Sequence, residues 1–244
     1  MSATKSPRPV AVVTGAASGV GRATALRFAA EGWRVVLSGR RLKGVTETVQ
    51  LAPPAARRRL LAVPCDLGDA RAIARLAATT LARFGRVDVL VNAAGHNIPR
   101  RSLGELLYAD YTAVMDANLN GALQLIQALL PSMRKAGAGT IINISSDAGK
   151  LASAKAGAAY VISKFGMTGL TQTINAEERS NGIRACCIFP GDTDTPLLKK
   201  RPVLPTPEAR ARMMRPEDIA ACVWLAATLP ARATVEEILI RPCR

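Results

Sequence analysis

An α/β fold, a doubly wound parallel sheet of about seven strands between two layers of helices, follows from three features of the sequence. Short β-branched runs alternate with longer helical stretches along nearly the whole chain, the signature of strand–helix–strand units. Several of those runs are continuously apolar, as strands buried on both faces are. The 244 residues, 49% of them hydrophobic, are enough to bury a sizeable core.

The expected strands cover 10–14, 34–38, 60–63, 87–91, 140–145, 183–188 and 235–240, and the expected helices run about 19–31, 41–52, 69–84, 104–135, 157–180 and 216–228. Residues 1–9 read as a disordered lead-in and 10–244 as one domain. The rhythm breaks after the sixth strand. Pro190, Pro196, Pro202, Pro205 and Pro207, with Pro216 beyond, predict a long irregular connection across 192–215, the kind that often forms a lid or binding loop.

Composition narrows the class. No apolar run approaches the roughly 20 residues needed to span a bilayer, and the opening MSATKSPRP has no apolar secretory core. The expectation is a cytoplasmic protein with no membrane partner. Cys65, Cys186, Cys187, Cys222 and Cys243 are odd in number and lack a C-x-x-C pair, which argues for reduced thiols and against a disulfide framework or a zinc site. The net charge of +15 raises nucleic-acid binding. However, the basic residues are scattered (Arg57, Arg58 and Arg59; Arg100 and Arg101; Lys199, Lys200 and Arg201; Arg210, Arg212 and Arg215), and aromatics at 4% are too few for base stacking. The charge reads as solvated surface with some attraction for an anionic cofactor or substrate.

Directly after the first strand stands Thr14-Gly15-Ala16-Ala17-Ser18-Gly19-Val20-Gly21, opening a helix. Glycines there let the chain turn sharply and bring backbone N–H groups, with the positive end of the helix, up to a pyrophosphate. Gly15, Ser18, Gly19, Val20 and Gly21 are the expected cradle. The second strand ends Ser38-Gly39-Arg40-Arg41 with no acid. An acid at that point would accept from a ribose 2′-hydroxyl, whereas an arginine pairs with a 2′-phosphate. Arg40, with Arg41 second, therefore points to NADP(H) in preference to NAD(H).

Tyr160-Val161-Ile162-Ser163-Lys164 places a phenol and an ammonium one helical turn apart. A nearby cation is expected to lower the phenol's pKa from about 10 towards a range useful for proton transfer. Fourteen residues earlier, Ser146 closes the apolar run Thr140–Ser145, where a hydroxyl faces the ligand crevice of a parallel sheet. Ser146 would hold a carbonyl oxygen while Tyr160 donates the proton, with Ser145 the neighbouring alternative.

These motifs resemble the short-chain dehydrogenase/reductase family, in its compact single-domain branch with TGxxxGxG and YxxxK motifs, over about residues 14–195. The resemblance implies a Rossmann-type fold and reversible hydride transfer between a nicotinamide and a carbonyl or alcohol carbon. Asn92-Ala93-Ala94-Gly95 is similar to the family's motif beside the cofactor, so Asn92, Ala93 and Gly95 join the cofactor set. Asp66, with Leu67 after it, matches the adenine-contacting position. Pro190, Gly191, Thr193 and Thr195 resemble the segment that grips the nicotinamide carboxamide. Asn118 resembles the helix asparagine of a proton relay, completing a catalytic tetrad of Asn118, Ser146, Tyr160 and Lys164, with Tyr160 and Lys164 also touching the cofactor. No metal is implied. Family practice suggests a homotetramer or homodimer.

His96 and Asp192, with Ser146, are expected to meet a small-molecule substrate, read as a small ketone or hydroxy acid. The C-terminal stretch lacks the Asp-Gly-Gly ending of the fatty-acid-synthesis reductases and looks more like that of the small-carbonyl reductases. A 3-oxoacyl thioester (acyl-carrier-protein or CoA) reductase and a catalytically silent nucleotide-binding sensor stay open as alternatives.

Overall fold

A computed structural model describes residues 8–243, so residues 1–7 of the expected lead-in lie outside it. The chain is tied into the fold by Pro9, whose carbonyl accepts a hydrogen bond from Arg34 N at 3.0 Å. The strands β1 (Val10–Val13), β2 (Arg34–Gly39), β3 (Leu60–Pro64), β4 (Val89–Asn92), β5 (Gly139–Ile144), β6 (Ile183–Pro190) and β7 (Glu237–Ile240) form one sheet. Their order is β3-β2-β1-β4-β5-β6-β7 and every pairing is parallel. The fold is the Rossmann-type three-layer arrangement that the alternating pattern predicts. Strands β1, β4 and β5 are buried along their whole length, which is why they are largely apolar and β1 wholly so.

The helices are α1 (Gly19–Ala30), α2 (Leu42–Leu51), α3 (Pro54–Arg57), α4 (Ala70–Phe84), α5 (Tyr108–Met115), α6 (Gly121–Ala136), α7 (Ala158–Glu178), α8 (Pro207–Ala211) and α9 (Pro216–Thr228). On one face α1 packs against α9, where Phe28 meets Trp33 and Trp224 edge-on at 4.8 and 5.5 Å between ring centres. On the other, Leu76 of α4, Leu125, Leu129 and Met133 of α6 and Ile174 of α7 form the core. The chain winds outward from β1 to β3, then returns to place β4 on the other side of β1. That reversal opens a crevice at the C-terminal ends of β1 and β4, where open α/β sheets bind ligands.

Several expected boundaries move. The strands expected at 87–91 and 235–240 begin at Val89 and Glu237. The helix expected across 104–135 begins only at Tyr108, because Ser102–Leu106 closes a turn on the Ser102 carbonyl. A π-helical turn, Asp116–Asn120, then divides α5 from α6. Such a turn carries an extra residue, re-aims the side chains on it, and often marks a functional site. The 192–215 segment is less irregular than its prolines suggest. It holds a 3₁₀ turn at Pro196–Lys200 and the helix α8, and its two ends are clasped: Asp194 N donates to Met214 O at 2.8 Å and Met214 N to Asp192 O at 3.1 Å. Pro207 and Pro216 start helices, where a missing N–H costs nothing. Among the described residues no helix is long and apolar enough to cross a membrane.

Strand β7 is short, so β6 begins with an edge that no strand covers. The side chain of Asn175 covers it. Asn175 of α7 donates to Ala185 O at 3.0 Å and accepts from Ala185 N at 2.7 Å. Arg184 donates to Thr140 Oγ1 and to the carbonyls of Pro230, Ala233, Ala227 and Leu229, closing the end of α9. Replacing Asn175 by Leu strands one buried donor and one buried acceptor. The expected outcome is a loss of about 2–4 kcal/mol of unfolding free energy in a denaturant titration.

Candidate active site

The crevice encloses about 1250 Å³ and is lined largely by residues that follow the C-terminal ends of β1 to β7. Its floor begins at the glycine turn. Gly15 has φ +65°, and a Cβ there would meet Ala93 O at 2.7 Å; at Gly21 it would run into Gly15 O. Thr14 completes the closure, its Oγ1 accepting from Ala93 N at 3.1 Å and Ala94 N at 3.2 Å. The turn and the Asn92–Gly95 stretch are thus one packed unit. Ser18, the residue before α1, makes no side-chain cap and the first turn of α1 holds no acid, so the helix start presents free N–H groups to the crevice. Arg22 braces the turn from behind, donating to Thr48 Oγ1 at 3.1 Å and to Ala17 O.

Arg40 and Arg41 line the crevice, are exposed, and have no hydrogen-bond or ion-pair partner among the described residues. Asp66 is exposed and lines the wall, its Oδ1 accepting from Gly68 N at 3.0 Å, with Leu67 buried beside it. A free helix start, an arginine pair and a crevice of this volume fit an elongated anion such as a phosphorylated dinucleotide.

At the other end of the floor α7 carries Tyr160, half-buried, and Lys164, buried. Lys164 Nζ donates to Ile144 O at 2.8 Å and lies 5.4 Å from the centre of the Tyr160 ring. The two serines after β5 part ways. Ser145 is buried and donates to Lys164 O at 3.1 Å, whereas Ser146 lies beside the Tyr160 hydroxyl, with its own Oγ donating to Asp147 Oδ1 and accepting from Ala148 N. Gly149 allows this approach, since a Cβ there would run into Ser145 Oγ.

The electrostatics differ from the expectation of a phenol lowered by its lysine. Burial pushes Tyr160 up to about 12; Asp147 adds to the rise, while Ser146, Arg101 and Arg201 partly offset it. Burial likewise brings Lys164 down to about 8, with only Cys187 opposing. Desolvation dominates both shifts: the Lys164 ammonium is engaged by the Ile144 carbonyl, lies 5.4 Å from the ring centre and is not among the charges that bring the phenol down.

The short chain dehydrogenase family model matches residues 9–203. The chain belongs to that family. It is 36% identical over 230 residues to the 3-oxoacyl-[acyl-carrier-protein] reductase of a Synechocystis species, covering 93% of this chain and 92% of that one. It is also 36% identical over 235 residues to the cis-4-hydroxycyclohexanecarboxylate dehydrogenase of Sinomonas cyclohexanicum, covering 94% and 93%. A metagenomic short-chain oxidoreductase solved in complex with NADP superposes with a TM-score of 0.81 at 34% identity over 97% of both chains. This short-chain dehydrogenase is therefore an oxidoreductase of the CH–OH/C=O class that uses a nicotinamide cofactor.

Within its crevice stand Gly15, Ser18, Gly19, Val20, Arg40, Arg41, Asp66, Leu67, Ala93, Gly95, His96, Ser146, Tyr160, Lys164, Pro190, Gly191, Asp192, Thr193 and Thr195. Three expected residues stand behind it. Gly21 packs on the turn itself. Asn92 is buried in a chain through Asn143 to Thr171 that ties β4 and β5 to α7. Asn118, on the π turn, donates to His96 O at 3.0 Å and to Ser163 Oγ at 3.0 Å and accepts from His96 N at 2.6 Å. In this short-chain dehydrogenase its carboxamide therefore joins the His96 loop to α7 behind Tyr160. Burial, with Arg40 and Lys200, lowers the His96 pKa and keeps that imidazole neutral.

Other residues escaped the sequence. Arg101, taken there as scattered surface charge, is 7% exposed and lines the crevice, as do Lys155 and Arg201, which hold the expected Asp192 at 2.9 Å and 2.5 Å. Thr14 and Arg22 gave no signal beyond their place beside the turn. Replacing Thr14 by Val keeps the shape and removes the acceptor for two N–H groups. The expected outcome is a loss of about 1–3 kcal/mol of stability and weaker nicotinamide dinucleotide binding in a fluorescence titration.

Proposed function

We propose that this short-chain dehydrogenase interconverts a carbonyl and a secondary alcohol, with Tyr160 as proton donor and acceptor and NADP(H) preferred over NAD(H). The substrate is a small ketone or hydroxy acid. The observation that carries this reading is the convergence of Tyr160, Ser146 and Lys164 at one end of a crevice whose other end fits a dinucleotide.

When bound, the reduced nicotinamide supplies the hydride to the carbonyl carbon. Tyr160 gives its proton to the carbonyl oxygen as charge develops there, and Ser146 Oγ hydrogen-bonds the same oxygen. A phenol pushed up to about 12 keeps its proton at neutral pH until that oxygen becomes basic. Lys164, one turn along, stabilises the phenolate left behind. Asn118 acts at one remove, holding the His96 loop against α7. Pro190, Gly191, Thr193 and Thr195 flank the nicotinamide end, and Arg40, with Arg41, takes the 2′-phosphate. The free guanidinium of Arg40 and the absence of an acid at the end of β2 support NADP(H).

A hydroxy-acid substrate gains support from the Sinomonas cyclohexanicum relative, and a 3-oxoacyl thioester from the Synechocystis one. The same reading makes the protein a cytoplasmic homotetramer or homodimer, for which Ile162 and Phe165, exposed on α7, offer apolar surface.

Replacing Tyr160 by Phe is expected to cut turnover by about 100- to 10,000-fold while NADPH still binds; near-full turnover removes Tyr160 from its role. Arg40→Ala is expected to narrow the preference for NADPH over NADH, in kcat/KM, by about tenfold or more. Alcohol oxidation needs the phenolate and carbonyl reduction the phenol. A high Tyr160 pKa thus predicts oxidation rates that climb with pH beyond neutrality while reduction stays flat, which paired pH profiles check.

A further inference from the structure

Cations gather at the Tyr160 end of the crevice in a way that proton transfer does not require. Arg101 is 7% exposed, and no acid pairs with it among the described residues. Its Nε donates to Ile98 O at 2.7 Å, its Nη1 to Lys155 O at 3.3 Å and its Nη2 to Lys200 O, which leaves two of its five N–H groups without a partner. The contrast is Arg184, equally without an acid, whose five N–H groups all meet oxygens and which stands away from the crevice. Arg101 lines the crevice, and a buried charge with unpartnered donors is costly unless a ligand completes it.

Arg201 joins Arg101 there. Its side chain is 18% exposed and lines the crevice at the end of the Pro196–Lys200 turn, held by Asp192 at 2.5 Å. The charged groups around this end of the crevice are Arg101, Arg201, Lys155, Lys164 and Arg241 against Asp192 and Asp147, five cations to two acids. His96 is neutral and adds nothing. The two guanidinium groups are close enough to repel each other and to act on the Tyr160 hydroxyl.

We propose that Arg101 and Arg201 form an anion subsite beside Tyr160, and that the substrate is a small oxo acid, or the matching hydroxy acid, whose carboxylate they hold. The proposal rests on the Tyr160-centred reading above and narrows its substrate class. It also separates the acid from a thioester, whose reacting end carries no charge for two guanidinium groups to meet. Asp192 is then a positioning residue, fixing Arg201 on the crevice wall with Lys155.

The test pairs 2-, 3- and 4-oxo acids of four to six carbons with their methyl esters, at saturating NADPH, and adds acetoacetyl thioester and neutral ketones. At least one acid is expected to exceed its ester by tenfold or more in kcat/KM. In Arg201→Gln that ratio should fall by about tenfold to 100-fold, chiefly through KM. The same acid should raise the melting temperature of the wild-type protein loaded with NADP⁺, which cannot reduce it, and should raise it less in the variant. Arg101→Gln removes three loop contacts as well, so Arg201→Gln, with its melting temperature and NADPH affinity measured, is the deciding variant. Esters, thioester or ketones equal to the acids, or a ratio unmoved in Arg201→Gln, would overturn the subsite and leave the Tyr160 reading standing. Carbonyl turnover that Tyr160→Phe does not reduce overturns that reading instead.

Discussion

The Lys164 ammonium, buried against the Ile144 carbonyl, fixes the distance between helix α7 and the end of strand β5. Tyr160 and the two serines after β5 are arranged around that contact. It sets Tyr160 one turn earlier on the same face and leaves Ser146 as the hydroxyl beside it. The Lys164 carbonyl takes up Ser145, removing the rival hydroxyl. Gly149 is required because the chain after β5 passes too close to Ser145 and Lys164 for a side chain. Burying an ammonium costs stability, and the direction of its pKa shift records that cost. Since the unfolded chain keeps this proton up to about pH 10.4 while the folded chain releases it near 8, the lysine's penalty is full below 8 and fades as pH rises towards 10. A protein selected for stability alone would put an apolar residue there.

A second constraint is the return of the chain from β3 to β4. It makes β1 and β4 neighbours whose following loops diverge, and Thr14 with Gly15 then stitches the first of those loops to the residues after β4. The dinucleotide end and the reacting end are consequently parts of one rigid floor. The π turn at Asp116–Asn120 serves the same end: it aims Asn118 at the His96 backbone and at Ser163, the neighbour of Lys164.

The sheet, its layers and most of the crevice residues were legible because they rest on local signals. Strands buried on both faces announce themselves as apolar runs, and the functional groups follow those runs directly. What escaped depends on distance in space. Nothing local says that Asn92 turns inward to Asn143, or that Asp192 is clamped by Lys155 and Arg201. The spacing of Tyr160 and Lys164 correctly puts them on one face. It gives the wrong sign for the phenol, because the sign is decided by burial, which spacing does not report. The break at 104–107 and the π turn escaped for a similar reason, since both are set by packing against the His96 loop and α7.

Most of the +15 charge lies at the surface, as its scatter along the sequence suggests, but some of the arginines work inside the fold. Several arginines close off backbone carbonyls. Arg184 seals the end of α9, Arg57 reaches the carbonyls of Gln50 and Ala52, and Arg59 reaches those of Ala29 and Ala55. A guanidinium suits that task because its five donors are fixed in a plane and its charge, more weakly hydrated than an ammonium, is cheaper to bury. Each arginine used this way adds a positive charge without an acid to balance it. Arg40, Arg41, Arg101 and Arg201 differ in standing on the crevice with donors to spare; the first pair are the proposed partners of a cofactor phosphate and the second of a substrate carboxylate.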